Sequence, residues 1–375
     1  MENGIDPANL GKGDHIYFMS LAVRQLGGNV PGVTNVPSLM AYEKSQGIDF
    51  IVVKAASGAK EFPAGRPQFT DELVADAHAA GLKIFGYTRS DGKDVPGEIE
   101  LAAKIYGMGA DGFLLDAEAE WETRKLENNF EKAIQLCSAI KARFPNKFLA
   151  HAPMPVIHVH TTFPYKEFGY YCDAVMPQYY WQEGGVGKIA EYSPTVMVAK
   201  MDVEWRNWQN SLQGKWTNAI KPLAPIGQAW NTTPTNIVTA AQIIDFVKAL
   251  KTDPNPVTPG GYNGVSYWRA DLHTPEIWSG IAAGDIGKPP CLLQQPPDVT
   301  ATNAATNIVF TVDAGGAMPR HYQWLRNGRK IAGATNSSFS IPKIRAAHAG
   351  TYTAVVMNRL GSVVSRDVLL KVTPP

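Results

Sequence analysis

The residues best suited to chemistry are two carboxylates, two positions apart, at the end of an apolar run. The stretch reads Asp111-Gly112-Phe113-Leu114-Leu115-Asp116-Ala117-Glu118, with Glu120 and Glu122 beyond it. Asp-Gly marks a turn, the apolar run reads as a buried parallel strand, and the acids fall at its C-terminal end. Side chains alternate along a strand, so Asp116 and Glu118 share a side, their Cα atoms about 6–7 Å apart. At that spacing one carboxyl can orient the other or raise its pKa, as acid-catalysed cleavage of a glycosidic bond requires. An ordinary core strand followed by an acid-rich helix start would carry the same letters. Glu120 and Glu122 are expected beyond the strand, facing solvent, although Glu120 shares the parity of Glu118.

This stretch resembles the Asp-Gly-x-Asp-x-Asp-x-Glu motif at the fourth barrel strand of family 18 glycoside hydrolases, with Leu114 in place of the middle Asp. Its Asp-x-Glu end also looks like that of family 25, the muramidase-type lysozymes. The resemblance implies that Glu118 is the general acid. It also implies that Asp116 orients a 2-acetamido group or stabilises charge at the anomeric carbon. Met176-Pro177-Gln178-Tyr179-Tyr180-Trp181 resembles the family 18 Met-x-(Tyr or Gln)-x-Tyr, which carries over a substrate-facing role to Gln178 and Tyr180. Gly264-Val265-Ser266-Tyr267-Trp268 resembles Gly-x-x-x-Trp, whose indole floors the binding subsite, here Trp268. By their places at strand ends, Tyr87, Arg89, His151, Trp181, Gln228, Trp230 and Tyr267 complete the expected substrate-binding set. Aromatic faces stack on pyranose rings and amides bond hydroxyls. Two departures stand out. Leu114 removes a carboxylate that helps the central Asp cycle its charge, and the family 25 Asp of the first strand is missing from His15–Ser20.

Eight short apolar segments can position these residues: His15–Ser20, Asp49–Lys54, Leu82–Tyr87, Gly112–Asp116, Lys147–His151, Asp173–Met176, Leu223–Gly227 and Gly264–Trp268. Between them lie helical patterns: one opened near Ser38, Thr70–Ala80, Gly97–Met108, Leu126–Arg143, residues 190–213, Pro234–Leu250 with Thr233 as cap, and one from Pro275. This alternation predicts a (β/α)8 TIM barrel over residues 1–286. A doubly wound sheet would need a Gly-rich phosphate turn after its first strand, which Gly27-Gly28 does not supply.

Residues 287–297 form a Pro-rich linker. Beyond it the pattern changes to period two, in Asn307–Val312, Tyr322–Leu325, Ser338–Ile341 and Gly350–Val356, with Asn327-Gly328 between two of the runs. That predicts an all-β sandwich over residues 298–375. It resembles an immunoglobulin-like domain, with Trp324 as the core tryptophan and Gly350-x-Tyr352 as the tyrosine corner. Val312 and Ala354 stand where the paired cysteines belong, so this version has no disulfide.

Of 375 residues, 35 are Lys or Arg and 34 Asp or Glu, a net charge of +1 that offers no electrostatic case for nucleic acid or an anionic membrane. No apolar run reaches membrane-spanning length, and no signal peptide opens the sequence. Cys137, Cys172 and Cys291 have neither metal-ligand nor disulfide-framework spacing. His158-Val159-His160 has the form of a metal-ligand pair but falls in a loop, and no Gly-x-Ser-x-Gly elbow occurs. The reading is a glycoside hydrolase with a carbohydrate partner and neither cofactor nor metal. It would be a secreted or cell-surface protein of bacterial modular type that degrades polysaccharide. The alternative is a non-catalytic glycan-binding or scaffolding protein on a decayed hydrolase barrel.

Overall fold

Alternation of strand and helix begins earlier than the apolar pattern suggests, because two glycines disguise the first strand. The computed structural model describes residues 5, 10–182, 193–233, 236–252, 262, 264–284, 287, 290–302, 308–315, 320–358 and 361–373. They fall in two units, Met1–Ile286 and Gly287–Pro375. In the first, the elements are β1 (Gly11–Ile16), α1 (Met19–Gly27), α2 (Val36–Ser45), β2 (Phe50–Ser57), β3 (Lys60–Glu61), α3 (Asp71–Ala79), β4 (Lys83–Ser90), α4 (Val95–Gly107), β5 (Gly112–Ala117) and α5 (Asn129–Arg143). There follow β6 (Phe148–His151), α6 (Tyr165–Tyr171), β7 (Ala174–Val175), β8 (Gln178–Tyr179), α7 (Pro194–Ser211), β9 (Ile226–Gln228), α8 (Ala240–Thr252), β10 (Gly264–Trp268) and α9 (Pro275–Ala283).

The first strand was expected at His15–Ser20 and lies at Gly11–Ile16 instead. A Cβ at Gly13 would sit 2.1 Å from the Phe50 ring, so glycine is what lets β1 pass that side chain. Several helix starts follow side-chain caps. Asn35, rather than Ser38, caps α2, its Oδ1 accepting from Ser38 N at 3.0 Å. Thr70 caps α3 and Asp94 caps α4. Residues 190–192 and Pro234, expected at two helix starts, lie outside the described residues.

The sheet runs β7-β6-β5-β4-β2-β1-β10-β9-β8, with β3 added antiparallel to β2 and every other pair parallel. This pairing path has two ends, β7 and β8, and the expected (β/α)8 barrel of eight uninterrupted strands is corrected accordingly. The cause is the segment 174–179, where the strand expected at Asp173–Met176 runs into Pro177. Pro177 has no N–H to give a ladder, and the strand breaks there. Among the described residues β7 then ladders only with β6, and β8 only with β9. Among the described residues the two ends are linked by one parallel bridge, Val175 to Leu223, and by hydrogen bonds that include Ala224 N to Val175 O (2.9 Å) and Ile226 N to Pro177 O (2.8 Å).

Both faces of the sheet are buried, which is why its strands read as continuous apolar runs. One face carries Phe50, Val52, Phe85, Tyr87, Leu114, Phe148 and Ala150, with Phe85 5.1 Å from both Phe50 and Phe148, centroid to centroid. Residues of opposite parity, among them Ile51, Val53, Ile84, Phe113 and Leu115, pack with the helices.

β1 carries Asp14 on this helix-facing side, so the first strand does hold an aspartate, but turned away from the other face. Asp14 is buried with Glu43 of α2 and His273, whose Nδ1 lies 3.3 Å from Asp14 Oδ2. Neither Glu43 oxygen has a hydrogen-bond partner, and burial pushes this carboxyl up to about 8. The folded chain therefore keeps a proton that the unfolded chain releases near 4.5. Stability present at low pH is lost as pH rises between those values, at up to about 1.4 kcal/mol per unit. Glu43→Gln cannot titrate. In urea unfolding it should gain on the parent steadily from about pH 5 to pH 8; a pH-independent difference would contradict this.

The second unit holds β11 (Cys291–Gln294), β12 (Val299–Thr302), β13 (Ile308–Thr311), β14 (Asp313–Gly315), β15 (His321–Arg326), β16 (Arg329–Lys330), β17 (Ser338–Ile341), β18 (Gly350–Asn358), β19 (Gly361–Val364) and β20 (Val368–Thr373). β11 falls inside the expected linker and pairs with β14. One sheet runs β12-β20-β18-β15-β16 with β19 on β18, and β13 pairs with β17. Asn327 and Gly328 both take positive φ (49° and 73°), as a two-residue hairpin turn from β15 to β16 requires. Trp324 is fully buried and donates Nε1–H to Asn336 O at 3.0 Å. Tyr352 donates its hydroxyl to His348 O at 2.8 Å, closing the tyrosine corner. Val312 and Ala354 are buried in the same core. The unit is an immunoglobulin-fold sandwich.

Candidate functional site

The C-terminal ends of the first unit's strands surround a cavity of about 420 Å³. Eight expected residues line it: Tyr87 and Arg89 of β4, Asp116 of β5, Glu118 just after it, Gln178 of β8, then Tyr180, Trp230 and Trp268. Register explains the centre. Arg89 pairs with Asp116 across β4 and β5, so the guanidinium reaches the acids as they leave the strand.

Arg89 ties the carboxylates together. Its Nη1 donates to Glu118 Oε1 at 2.6 Å and lies 3.7 Å from Asp116 Oδ2. Its Nη2 donates to both oxygens of Glu120, at 3.1 and 3.0 Å. Gln178 Nε2 donates to Asp116 Oδ1 (3.0 Å) and to Glu118 Oε1 (2.9 Å). Burial first, and the Glu118 carboxylate second, push Asp116 up to about 8, against the pull of Arg89 and Lys54. Neutral Asp116 is then a donor, and it shares a hydrogen bond with Glu118. Burial opposes the Arg89 charge, yet the three acids outweigh it and raise the guanidinium further. Burial likewise acts to raise Glu120, but its own backbone amide and Arg89 hold it below the usual range.

Three donors thus converge on Glu118, from Arg89, Gln178 and Asp116. A general acid must present a proton to the leaving oxygen, within hydrogen-bond reach. Here Glu118 is placed as the acceptor of an internal ion-pair network. Glu120 belongs to that network rather than to solvent. Glu122, also expected in solvent, is buried and takes His160 Nδ1 and Arg124 Nε, each at 2.6 Å. His158 faces Glu204 instead, at 3.0 Å. Among the described residues no three His, Cys, Asp or Glu are grouped to hold a metal ion.

Four expected residues do not line the cavity. His151, Trp181 and Tyr267 each stand one position from a residue that does or that shares its face, so they point to the other side. His151 stacks on Phe168 at 5.4 Å, Trp181 packs on Phe246 at 5.2 Å, and Tyr267 is buried in the helix-side core. Gln228, the last residue of β9, is buried, accepting from Gln182 N at 2.8 Å and donating to Trp230 O at 3.2 Å. Missed were His15, Met154 and Arg269. His15 became visible only once β1 was placed at Gly11–Ile16. Its Nε2 lies 3.0 Å from Ser266 Oγ, and burial pushes it down to about 3, so it is uncharged at neutral pH. Arg269, which directly follows Trp268 through a cis peptide, donates Nε–H to Asp271 at 2.9 Å and lies over the Tyr17 ring.

Comparison with known proteins gives a family match that falls within the second unit. The immunoglobulin domain family matches residues 288–358. Mouse protein sidekick-2 is 29% identical over 112 residues, 28% of this chain and 5% of that protein, so the chain spans a small part of its relative. The structure of sidekick-1 immunoglobulin domains 1–5 is 24% identical, with 23% of this chain and 20% of that one covered and a TM-score of 0.22. The tandem Ig repeats of Dlar are 21% identical, with 23% and 49% covered and a TM-score of 0.22.

These relatives are immunoglobulin-domain proteins, not glycoside hydrolases of family 18 or 25, and the expectation is corrected to that extent. With it go the hydrolase activity, the carbohydrate partner and the bacterial polysaccharide-degrading protein. The geometry supplies a chemical reason: the residue expected to give up a proton is occupied as an acceptor.

Proposed function

We propose that this chain is a non-catalytic scaffold or adhesion protein that engages protein partners outside the cell or at its surface. The observation that carries this reading is the convergence of Arg89, Gln178 and Asp116 on Glu118, which leaves the acid tied within the protein. The immunoglobulin-fold unit supports it from the other end of the chain, since such sandwiches present surfaces and loops rather than reaction centres. In this reading Tyr87, Arg89, Asp116, Glu118, Gln178, Tyr180, Trp230 and Trp268 line a recognition pocket, with the ion-pair network as its rigid base. The test is turnover. Polysaccharides, peptidoglycan and aryl glycosides incubated with the purified chain should release no more product than buffer does, and sustained release from any of them would overturn the reading.

A further inference from the structure

The whole-chain charge of +1 conceals two oppositely charged units. Residues 287–375 hold ten of the 35 Lys and Arg but only three of the 34 Asp and Glu. From position 314 to position 366 there is no acidic residue at all, while eight Lys and Arg occur. Part of this excess gathers around one groove of about 770 Å³, lined by Arg326, Arg329, Lys330 and His348 with Ile331, Phe339, Ile341 and Pro342 as its apolar part. Lys343 and Arg345 flank it in sequence. Arg329, Lys330, Lys343 and Arg345 are exposed, and among the described residues none has a carboxylate within ion-pair distance.

We propose that this groove docks an acidic, extended segment of a protein partner. Charge complementarity names the sign of the occupant: several cations with no internal counter-ion raise the local potential and favour an anionic partner. Two features favour a polypeptide over a nucleic acid. The groove has apolar lining that side chains of a peptide can fill and a phosphate backbone cannot. β16 also ends the pairing path of its sheet, so its outer backbone groups face no further strand among the described residues and can bond an added strand. The inference deepens the protein-partner reading above but rests on a different unit and surface.

The experiment uses the full chain. A fluorescein-labelled peptide of alternating Glu and Val is titrated by anisotropy at low and at physiological ionic strength. Saturable binding is expected, weakened by salt. Arg329→Glu with Lys330→Glu should lower affinity at least about tenfold, as should Lys343→Glu with Arg345→Glu. Arg24→Glu with Arg66→Glu, an equal charge change at exposed positions of the first unit, should leave it unaltered. No binding by the parent, or an equal loss in the Arg24 and Arg66 control, would overturn the proposal. Equally tight binding of duplex DNA in competition with the peptide would overturn the choice of a polypeptide. Failure here leaves the non-catalytic reading intact, since turnover tests that separately.

Discussion

Replacing Arg89 by leucine is expected to destabilise the first unit by about 2–3 kcal/mol at pH 8. Removing one partner of a buried ion pair costs about 3–5 kcal/mol, and Arg89, with a third of its side chain exposed, falls below that range. The loss comes mostly from what stays behind: Glu118 and Glu120 keep their place without the guanidinium that balanced them. The pH dependence has a definite sign. Arg89 favours the ionised form of Glu120, so that contribution is present above the usual Glu range and fades as acid protonates the carboxylate. Glu120 is the acid held below its ordinary 4.5, so the deficit of Arg89→Leu should shrink as pH falls below about 4.5. Adding Glu118→Gln and Glu120→Gln should recover much of it, because the three residues act as one network. Urea unfolding followed across that range checks both statements. A deficit below about 0.5 kcal/mol, the size of an ordinary surface substitution, would show that the network is not what holds these acids.

Trp324→Ala should cost the second unit about 3–5 kcal/mol, the usual loss for truncating a large buried aromatic. Trp324 is fully buried against Phe310 and Phe339, at 6.0 and 6.2 Å between centroids, and its indole N–H is satisfied by Asn336 O. Truncation opens a cavity and orphans that carbonyl. With no disulfide to limit the unfolded chain, nothing offsets the loss. For a unit of this size the melting transition should fall by about 12 °C or more. Calorimetry on the full chain should show that shift confined to one transition, with the first unit's unchanged. An unaltered thermogram would remove Trp324 from the core.

The central strand and its acids were legible because a strand buried on both faces leaves a continuous apolar run with a sharp polar end, as Phe113 to Glu118 does. The Trp324 and Tyr352 positions were legible for a related reason: a sandwich core needs large residues at fixed alternation. Other features depend on contacts the local sequence cannot express. Gly11 and Gly13 read as a loop until the Asp49 carboxylate and the Phe50 ring, respectively, are seen to fill the space of a side chain. Pro177, directly after the strand expected at Asp173–Met176, could have warned that a second short strand begins beyond it, since it cannot donate to a ladder. His151, Trp181 and Tyr267 failed on parity, which a one-residue shift reverses. The decisive contact, Arg89 across from Asp116, is a matter of sheet register between segments far apart in sequence. A match to a catalytic motif records the acid but not the cation that ties it.

The central claim, that Glu118 is a structural acceptor and not an acid catalyst, is tested most directly by turnover with the parent and Glu118→Gln side by side. A general acid contributes about 10²–10⁴-fold in rate, so the comparison has a wide margin. Natural polysaccharides, peptidoglycan and aryl glycosides with activated leaving groups should be supplied to both proteins, each shown to be folded by its melting transition. The expected result is release at the buffer rate from every substrate, the same for parent and variant. Release by the parent that falls a hundredfold in Glu118→Gln on a natural substrate, and less on an activated one, would contradict the claim.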